Sequence, residues 1–182
     1  MKRFIALAAA ALALTAFPAA ASLPVGAKAP AFSTQAAIGG KASGFNLRAA
    51  LAKGPVVLYF FPKAFTKGCT LEAHEFAERT PDFARYGATV VGMSNDDIDT
   101  LKRFSKEACR DKFAVAAATP KIVEAYDVAL VADGKKTGLT ERTSYVIDTK
   151  GRIAFVHSDL DYKDHVRLTL EAVKKLQAAR AR

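Results

Sequence analysis

Residues 59–72 read YFFPKAFTKGCTLE, where an apolar run stops at Pro62 and a cysteine follows as helical periodicity begins. The pattern predicts a strand, a loop and a helix that carries Cys69 in its first turn. Backbone N–H groups at a helix start have no intrahelical acceptor, and the helix dipole is positive there. We therefore expect the thiolate form of Cys69 to be favoured and this residue to act as a nucleophile.

Hydrophobic patterning around this junction alternates between strand and helix. After Cys69, apolar residues recur at helical spacing as far as Ala84, and Pro81 predicts a break or kink near residues 79–82, with Thr80 as a possible cap. The other predicted segments are a buried strand at Val56–Phe61, a strand at Ala88–Ser94, a helix that begins at Asn95–Asp97, a strand at Phe113–Ala117 and a helix at Pro120–Tyr126. This βαβα order predicts parallel strands.

The sequence patterns at the two ends of the predicted domain differ from the βαβα order between them. Gly39–Gly40 is a turn signal between a predicted edge strand at Pro30–Ala37 and a helical turn at Phe45–Leu51. Near the carboxyl end, a predicted β-hairpin of two strands is followed by a closing helix: Thr143–Asp148, Arg152–Ser158 and Tyr162–Ala179. The whole pattern predicts one α/β domain over residues 22–182.

Residues 1–21 are interpreted as a cleaved signal peptide. Lys2 and Arg3 precede an apolar stretch from Phe4 to Phe17, and Ala19–Ala21 offers the small residues of a signal-peptidase site. A membrane anchor is the alternative, but the stretch is shorter than the roughly 20 residues that a spanning helix needs. We therefore expect an exported, periplasmic protein without stable membrane insertion after cleavage.

Charge and composition limit the kinds of partner and cofactor that the protein is expected to bind. Without Lys2 and Arg3 the chain has 25 basic and 18 acidic residues, a net charge of +7, but the basic residues are scattered and do not interleave with aromatics. This favours a solvated surface and predicts no nucleic-acid partner. The three histidines, His74, His157 and His165, lack the spacing of zinc ligands, so we expect no metal and no other cofactor.

The spacing of Pro62, Thr66 and Cys69 resembles that of the peroxiredoxins, the thiol peroxidases of the thioredoxin superfamily. The resemblance implies a thioredoxin-like fold, a central mixed sheet flanked by helices. It implies that Cys69 is the peroxidatic cysteine, that Thr66 orients the peroxide and that Pro62 shields the sulfur from water. A strand that begins after Arg142 matches the family strand whose arginine stabilises thiolate and peroxide, and Glu72 is expected to support that arginine.

Within this family the chain is most similar to the bacterioferritin comigratory, or Q-type, members. Many of these carry a second cysteine five residues after the first, where this chain has His74. Cys109 is the other cysteine of the chain, and some Q-type members place a resolving cysteine on the helix that follows the site. Helical spacing from Asp97 puts Cys109 at the edge of the apolar stripe, which predicts partial access to solvent. We expect Cys109 to resolve Cys69 through local unwinding and an intrachain disulfide.

The signal-peptide pattern predicts export, and the family resemblance implies an enzyme that reduces hydrogen peroxide and organic hydroperoxides with a thioredoxin-like dithiol as reductant. We expect a monomer or weak homodimer. A structural disulfide would not explain why proline and threonine precede Cys69. Two other functions stay open: a thiol-disulfide oxidoreductase of exported proteins, against which the absence of Cys-x-x-Cys argues, and a non-enzymatic binding or holdase module. A cysteine protease would need a histidine delivered from elsewhere in the fold, and His157 and His165 alone do not support it.

Overall fold

The computed structural model describes residues 22–180, so the predicted signal peptide lies outside the described residues. These residues form nine strands and five helices in the order β1 Ser33–Ile38, β2 Lys41–Asn46, α1 Leu47–Leu51, β3 Val56–Phe60, α2 Lys67–Arg85, β4 Thr89–Ser94, α3 Ile98–Glu107, β5 Ala114–Ala117, α4 Pro120–Ala125, β6 Ala129–Ala132, β7 Lys135–Thr140, β8 Thr143–Ile147, β9 Ile153–Ser158 and α5 His165–Arg180. Within this range, every helix is too short or too polar to serve as a membrane span.

A seven-stranded mixed sheet in the order β2-β1-β5-β4-β3-β8-β9 organises the domain. Strand β3 pairs parallel with β4 and antiparallel with β8, and β4 pairs parallel with β5. The predicted parallel strands and the predicted antiparallel hairpin of β8 and β9 are therefore confirmed. The prediction of an edge strand at Pro30–Ala37 is wrong, because β2 pairs outside β1 and forms the edge.

Strand β3 is buried on both faces because it lies near the centre of the sheet. Its side chains alternate between two hydrophobic cores. Val57 and Tyr59 face the core that contains α2, α3 and α5, whereas Leu58 and Phe60 face the core that contains α1 and α4. Burial of each large apolar side chain contributes about 2 kcal/mol to stability. The two cores therefore fix the carboxyl end of β3, from which the Cys69 loop departs.

Helix α2 runs unbroken from Lys67 through Pro81 to Arg85, so of the two predicted alternatives near residues 79–82, a break or a kink, the break is wrong. Thr80 does not cap a second segment; its hydroxyl donates to the carbonyl oxygen of Phe76 at 2.8 Å. Phe76 and Phe83, on either side of the proline, are fully buried in the same core. Their packing offsets the local cost of about 3 kcal/mol that an interior proline imposes on a helix.

The hairpin of β6 and β7 was not predicted from the hydrophobic pattern, because its side chains are mostly exposed. Its turn, Asp133–Gly134, has positive φ at both residues, the conformation that Asp-Gly favours in two-residue hairpins. The hairpin matters for the site because Thr140, the last residue of β7, donates its hydroxyl to the Phe61 carbonyl oxygen at 2.7 Å. This bond fixes the chain just beyond the end of β3.

Candidate active site

Cys69 lies in the first turn of α2, as predicted, and is 1% exposed. Thr66 occupies the N-cap position, but its side chain makes no capping hydrogen bond. The first N–H groups of a helix have no intrahelical acceptor, so they can serve a negative charge near the sulfur. The sulfur thus lies at the end of the helix that favours an anion.

Arg142 directly precedes β8, which pairs antiparallel with β3. The start of β8 therefore lies beside the carboxyl end of β3, from which the Cys69 loop departs. One terminal nitrogen donates to the Cys69 Sγ at 3.4 Å, and the Nε donates to the Leu160 carbonyl oxygen at 2.9 Å. Arg142 is 5% exposed. The structure therefore brings the predicted cysteine and arginine into direct contact.

Glu72 supports this arginine, because its Oε2 accepts from the other terminal nitrogen of Arg142. The carboxyl points into the core and is fully buried, so it does not cap the helix. Burial raises the pKa of Glu72 to about 8, and Arg142 opposes that shift only in part. Burial disfavours charge on Arg142, but Glu72 and Cys69 outweigh it and raise the pKa of the guanidinium.

Pro62 and Thr66 lie in the loop between β3 and α2, which leads into the helical turn of Cys69. The Thr66 hydroxyl donates to the Lys63 carbonyl oxygen at 3.0 Å, while its oxygen keeps lone pairs that can accept a hydrogen bond. Phe65 has φ of 64°, a left-handed conformation that costs a non-glycine residue about 1 kcal/mol. Asp96 holds the loop, since its Oδ2 accepts from the Ala64 N–H at 2.8 Å.

Asp96 is a site residue that the sequence pattern indicates only as part of the predicted helix start at Asn95–Asp97. Its neighbour Asp97 performs that role by accepting from the Thr100 N–H. The spacing gave no means to separate the two aspartates, because both follow β4 in the same turn. The carboxylate of Asp96 also accepts from the Ser94 hydroxyl at 2.6 Å, which fixes its direction toward the Cys69 loop.

Cys109 is fully buried in the core that also contains Cys69, so the predicted partial exposure is wrong. Helix α3 ends at Glu107, and the Cys109 N–H bonds to the carbonyl oxygen of Phe104, five residues back. This wider turn rotates the side chain inward from the position that regular helical spacing predicts. Burial raises the pKa of the Cys109 thiol well above its ordinary value. Both cysteines are free thiols.

Two buried polar residues near Glu72 were missed at the level of sequence. His165, the first residue of α5, and Ser144 on β8 are both fully buried, and their side chains hydrogen-bond at 2.8 Å. His165 Nδ1 lies 3.9 Å from the Glu72 Oε1. An isolated histidine in an amphipathic helix carries no such signal in the sequence. No group of three or more His, Cys, Asp and Glu side chains in residues 22–180 could hold a metal ion.

This arrangement suits thiol chemistry on a small electrophile. The helix start and the guanidinium place positive charge at the sulfur, where an anion would develop, and the buried carboxyl holds the guanidinium in place. The buried surroundings strengthen these interactions relative to water. The arrangement therefore suits a sulfur nucleophile that displaces an anionic leaving group from a substrate atom.

Comparisons with known proteins identify relatives of this chain. The AhpC/TSA family model matches residues 25–156. Peroxiredoxin Bcp of Bacillus subtilis is 32% identical over 123 residues, which cover 66% of this chain and 78% of the relative.

Among solved structures, Peroxidoxin BcpB from Mycobacterium tuberculosis superposes with a TM-score of 0.73 at 28% identity, covering 83% of this chain and 96% of the other. The bacterioferritin comigratory protein of Xanthomonas campestris, described for its alkyl peroxide reduction activity, gives 0.69 at 25% identity, covering 79% and 91%. These structures confirm the predicted thioredoxin-like fold.

Proposed function

Because the chain belongs to the AhpC/TSA family and is a peroxiredoxin related to Bcp, we propose that it reduces hydroperoxides with Cys69 as the peroxidatic nucleophile. The contact between Arg142 and the Cys69 sulfur carries the proposal. The similarity to a Xanthomonas protein described for alkyl peroxide reduction supports organic hydroperoxides as substrates besides hydrogen peroxide.

In the first step the Cys69 thiolate attacks the terminal peroxide oxygen, so an S–O bond forms and the O–O bond breaks. Cys69 becomes a sulfenic acid, and the leaving oxygen takes a proton and departs as water or an alcohol. Thr66 accepts a hydrogen bond from the hydroperoxide, Pro62 keeps water from the sulfur, and Arg142 stabilises the charge on both oxygens. Glu72 holds the guanidinium in place by accepting a hydrogen bond from the other terminal nitrogen of Arg142.

In the second step the Cys109 thiolate attacks the Cys69 sulfur, so an S–S bond forms and the hydroxyl group leaves as water. Because Cys109 is buried, this step requires local unwinding. Arg110 and Asp111, which follow Cys109, both have left-handed backbone conformations, with φ of 51° and 59°. Strain of this kind, about 1 kcal/mol at each residue, lowers the cost of opening the segment.

A dithiol of the thioredoxin type then reduces the disulfide and restores both thiols. We also place this cycle outside the cytoplasm, on the evidence of the signal-peptide pattern in residues 1–21. Edman sequencing or mass measurement of protein recovered from the periplasm checks that placement. A mature chain that begins at Ser22 supports export, and an intact Met1 in the cytoplasmic fraction contradicts it.

Peroxide consumption by Cys69→Ser, with excess dithiol, tests the function directly. The variant loses all turnover above the uncatalysed rate, because serine cannot form the sulfenic acid. His74→Asn serves as the matched control, since it changes the same helix without touching Cys69, Glu72 or Arg142. Full activity in Cys69→Ser, or equal loss in both variants, refutes the assignment.

A further inference from the structure

One exposed loop holds Arg142 in the site. The Asp159 N–H donates to the Arg142 carbonyl oxygen at 3.1 Å, and the Leu160 carbonyl oxygen accepts from the Arg142 Nε at 2.9 Å. Both loop residues are exposed, and Leu160 is 58% exposed. A loop with so little burial needs another attachment to keep the guanidinium fixed.

His165 provides that attachment from the core. Its Nε2 lies 2.9 Å from the Asp159 carbonyl oxygen. A carbonyl oxygen only accepts, so Nε2 carries the proton, and the neutral ring then has a lone pair on Nδ1. The Ser144 hydroxyl donates to that lone pair at 2.8 Å. Two bonds therefore lock the ring in one tautomer and one orientation.

The other neighbour of the ring is Glu72. Its Oε1 has no hydrogen-bond partner among residues 22–180 and lies 3.9 Å from His165 Nδ1. Since Ser144 occupies the Nδ1 lone pair, the neutral ring packs against the carboxyl without bonding to it. His165 therefore faces both elements that hold Arg142: the Glu72 carboxyl and the Asp159–Leu160 loop.

We propose that His165 is a positioning residue for the peroxidase reaction: its Nε2–H anchors the Asp159–Leu160 loop and thereby fixes the Arg142 guanidinium against the Cys69 sulfur. The inference rests on the proposed function of Cys69. It adds to the reaction a residue about 100 positions after Cys69 in the sequence, and the role of this residue requires no contact with the sulfur or the substrate.

The ring is poorly explained as a packing residue alone. A buried imidazole that cannot ionise contributes less to a core than an aliphatic side chain of similar size, so the polar contacts account for its presence. Burial also lowers the pKa of His165 to about 4, which keeps it neutral as the tautomer requires. The titratable or charged groups around it are Glu72 on α2, Arg142 before β8, His157 on β9 and Asp159 in the loop.

Two conservative variants separate the contacts of the ring. In His165→Gln the amide nitrogen reaches the position of Nε2 and can still donate to the Asp159 carbonyl oxygen. In His165→Asn the shorter amide reaches only the position of Nδ1, so the loop loses its anchor. Val173→Ala, also on α5 and fully buried, serves as a control that loses packing without touching the site.

The first readout is the second-order rate constant for reaction with hydrogen peroxide, measured well below the melting temperature of each variant. The second is the pH dependence of Cys69 alkylation by iodoacetamide, followed by peptide mass, which needs no peroxidase activity. We expect His165→Asn to lose at least tenfold in rate and to raise the midpoint of Cys69 alkylation by about one pH unit, because Arg142 withdraws from the sulfur. We expect His165→Gln to stay within about threefold of wild type.

Val173→Ala is expected to lower the melting temperature while leaving both readouts unchanged. Equal behaviour of the Asn and Gln variants, or a wild-type alkylation curve in His165→Asn, overturns the role of His165. Failure of the wild-type protein to consume peroxide refutes the proposed function instead. In that case the alkylation curve still tests whether His165 controls the environment of Cys69.

Discussion

The guanidinium of Arg142 bonds to the Cys69 sulfur with one terminal nitrogen and to the Glu72 carboxyl with the other. Cys69 and Glu72 lie one helical turn apart on α2, so one fork of donors spans both. The arginine therefore serves two groups that can carry negative charge. Removing any one of the three changes the electrostatic balance of the other two.

Substitution of Arg142 should separate activity from stability. Arg142→Met lowers the rate of peroxide reduction by about two orders of magnitude, the cost of losing one donor aimed at developing charge. It also leaves the buried Glu72 carboxyl without its hydrogen-bond partner, which destabilises the protein by about 2 kcal/mol. Stopped-flow peroxide kinetics and urea unfolding measure the two effects.

The double variant Arg142→Met, Glu72→Met provides the control for that prediction. It removes the unpaired carboxyl together with the arginine, so stability recovers while the rate stays low. If stability and rate recover together, the loss in Arg142→Met arose from unfolding and not from the lost contact with the sulfur.

Glu72 should make the protein less stable as pH rises through the neutral range. Its pKa is raised from 4.5 to about 8 in the folded state, so the folded protein holds a proton that the unfolded chain releases. The resulting stabilisation is complete below pH 4.5 and is lost as pH rises through 8, by at most about 5 kcal/mol. Urea unfolding across this range should show the decline in wild type and a flatter profile in Glu72→Gln; equal profiles would contradict the assignment.

Tyr59 offers a test of the core behind the site. Its hydroxyl is fully buried and has no hydrogen-bond partner among residues 22–180, while its ring stacks on Phe76 with centroids 4.3 Å apart. Tyr59→Phe keeps the stacking and removes the unsatisfied hydroxyl, so we expect stability to rise by about 1 kcal/mol. Thermal unfolding measures the change, and a fall in stability would show that the hydroxyl is satisfied in solution.

Cys109 should be protected from labelling until the segment around it opens. In Cys69→Ser, we expect iodoacetamide to modify Cys109 about a thousandfold more slowly in native protein than in urea, because labelling requires local unfolding. Asp111→Cys at an exposed position of the same turn provides a labelling control. Comparable native rates at the two positions would mean that Cys109 is accessible and that resolution needs no unwinding.

Local pattern was sufficient where neighbouring residues decide the structure. The apolar run of β3, the loop after Pro62 and the start of α2 follow from composition and turn chemistry, and they place Cys69 correctly. The spacing of Pro62, Thr66 and Cys69 pointed to Arg142 and Glu72 only through resemblance to a family. The structure then showed that both residues contact one another beside the sulfur.

Local pattern failed where packing between distant segments decides the structure. Pro81 lies inside a continuous helix because two buried phenylalanines hold both sides of it. Cys109 turns inward because α3 ends two residues before it and the chain leaves helical geometry. His165 joins the site from α5, on the same face of the sheet as α2, through contacts with a loop residue and a strand residue that no periodicity records.

The oxidation state of both cysteines after one equivalent of hydrogen peroxide is the decisive test of Cys69 as the peroxidatic residue. Reduced protein is treated, quenched with a thiol-blocking reagent and a sulfenic acid trap, and mapped by peptide mass spectrometry. A peroxidatic Cys69 resolved by Cys109 predicts loss of the Cys69 thiol, first as a trapped sulfenic acid and then as a disulfide with Cys109. A free Cys69 thiol after the peroxide has been consumed would contradict it.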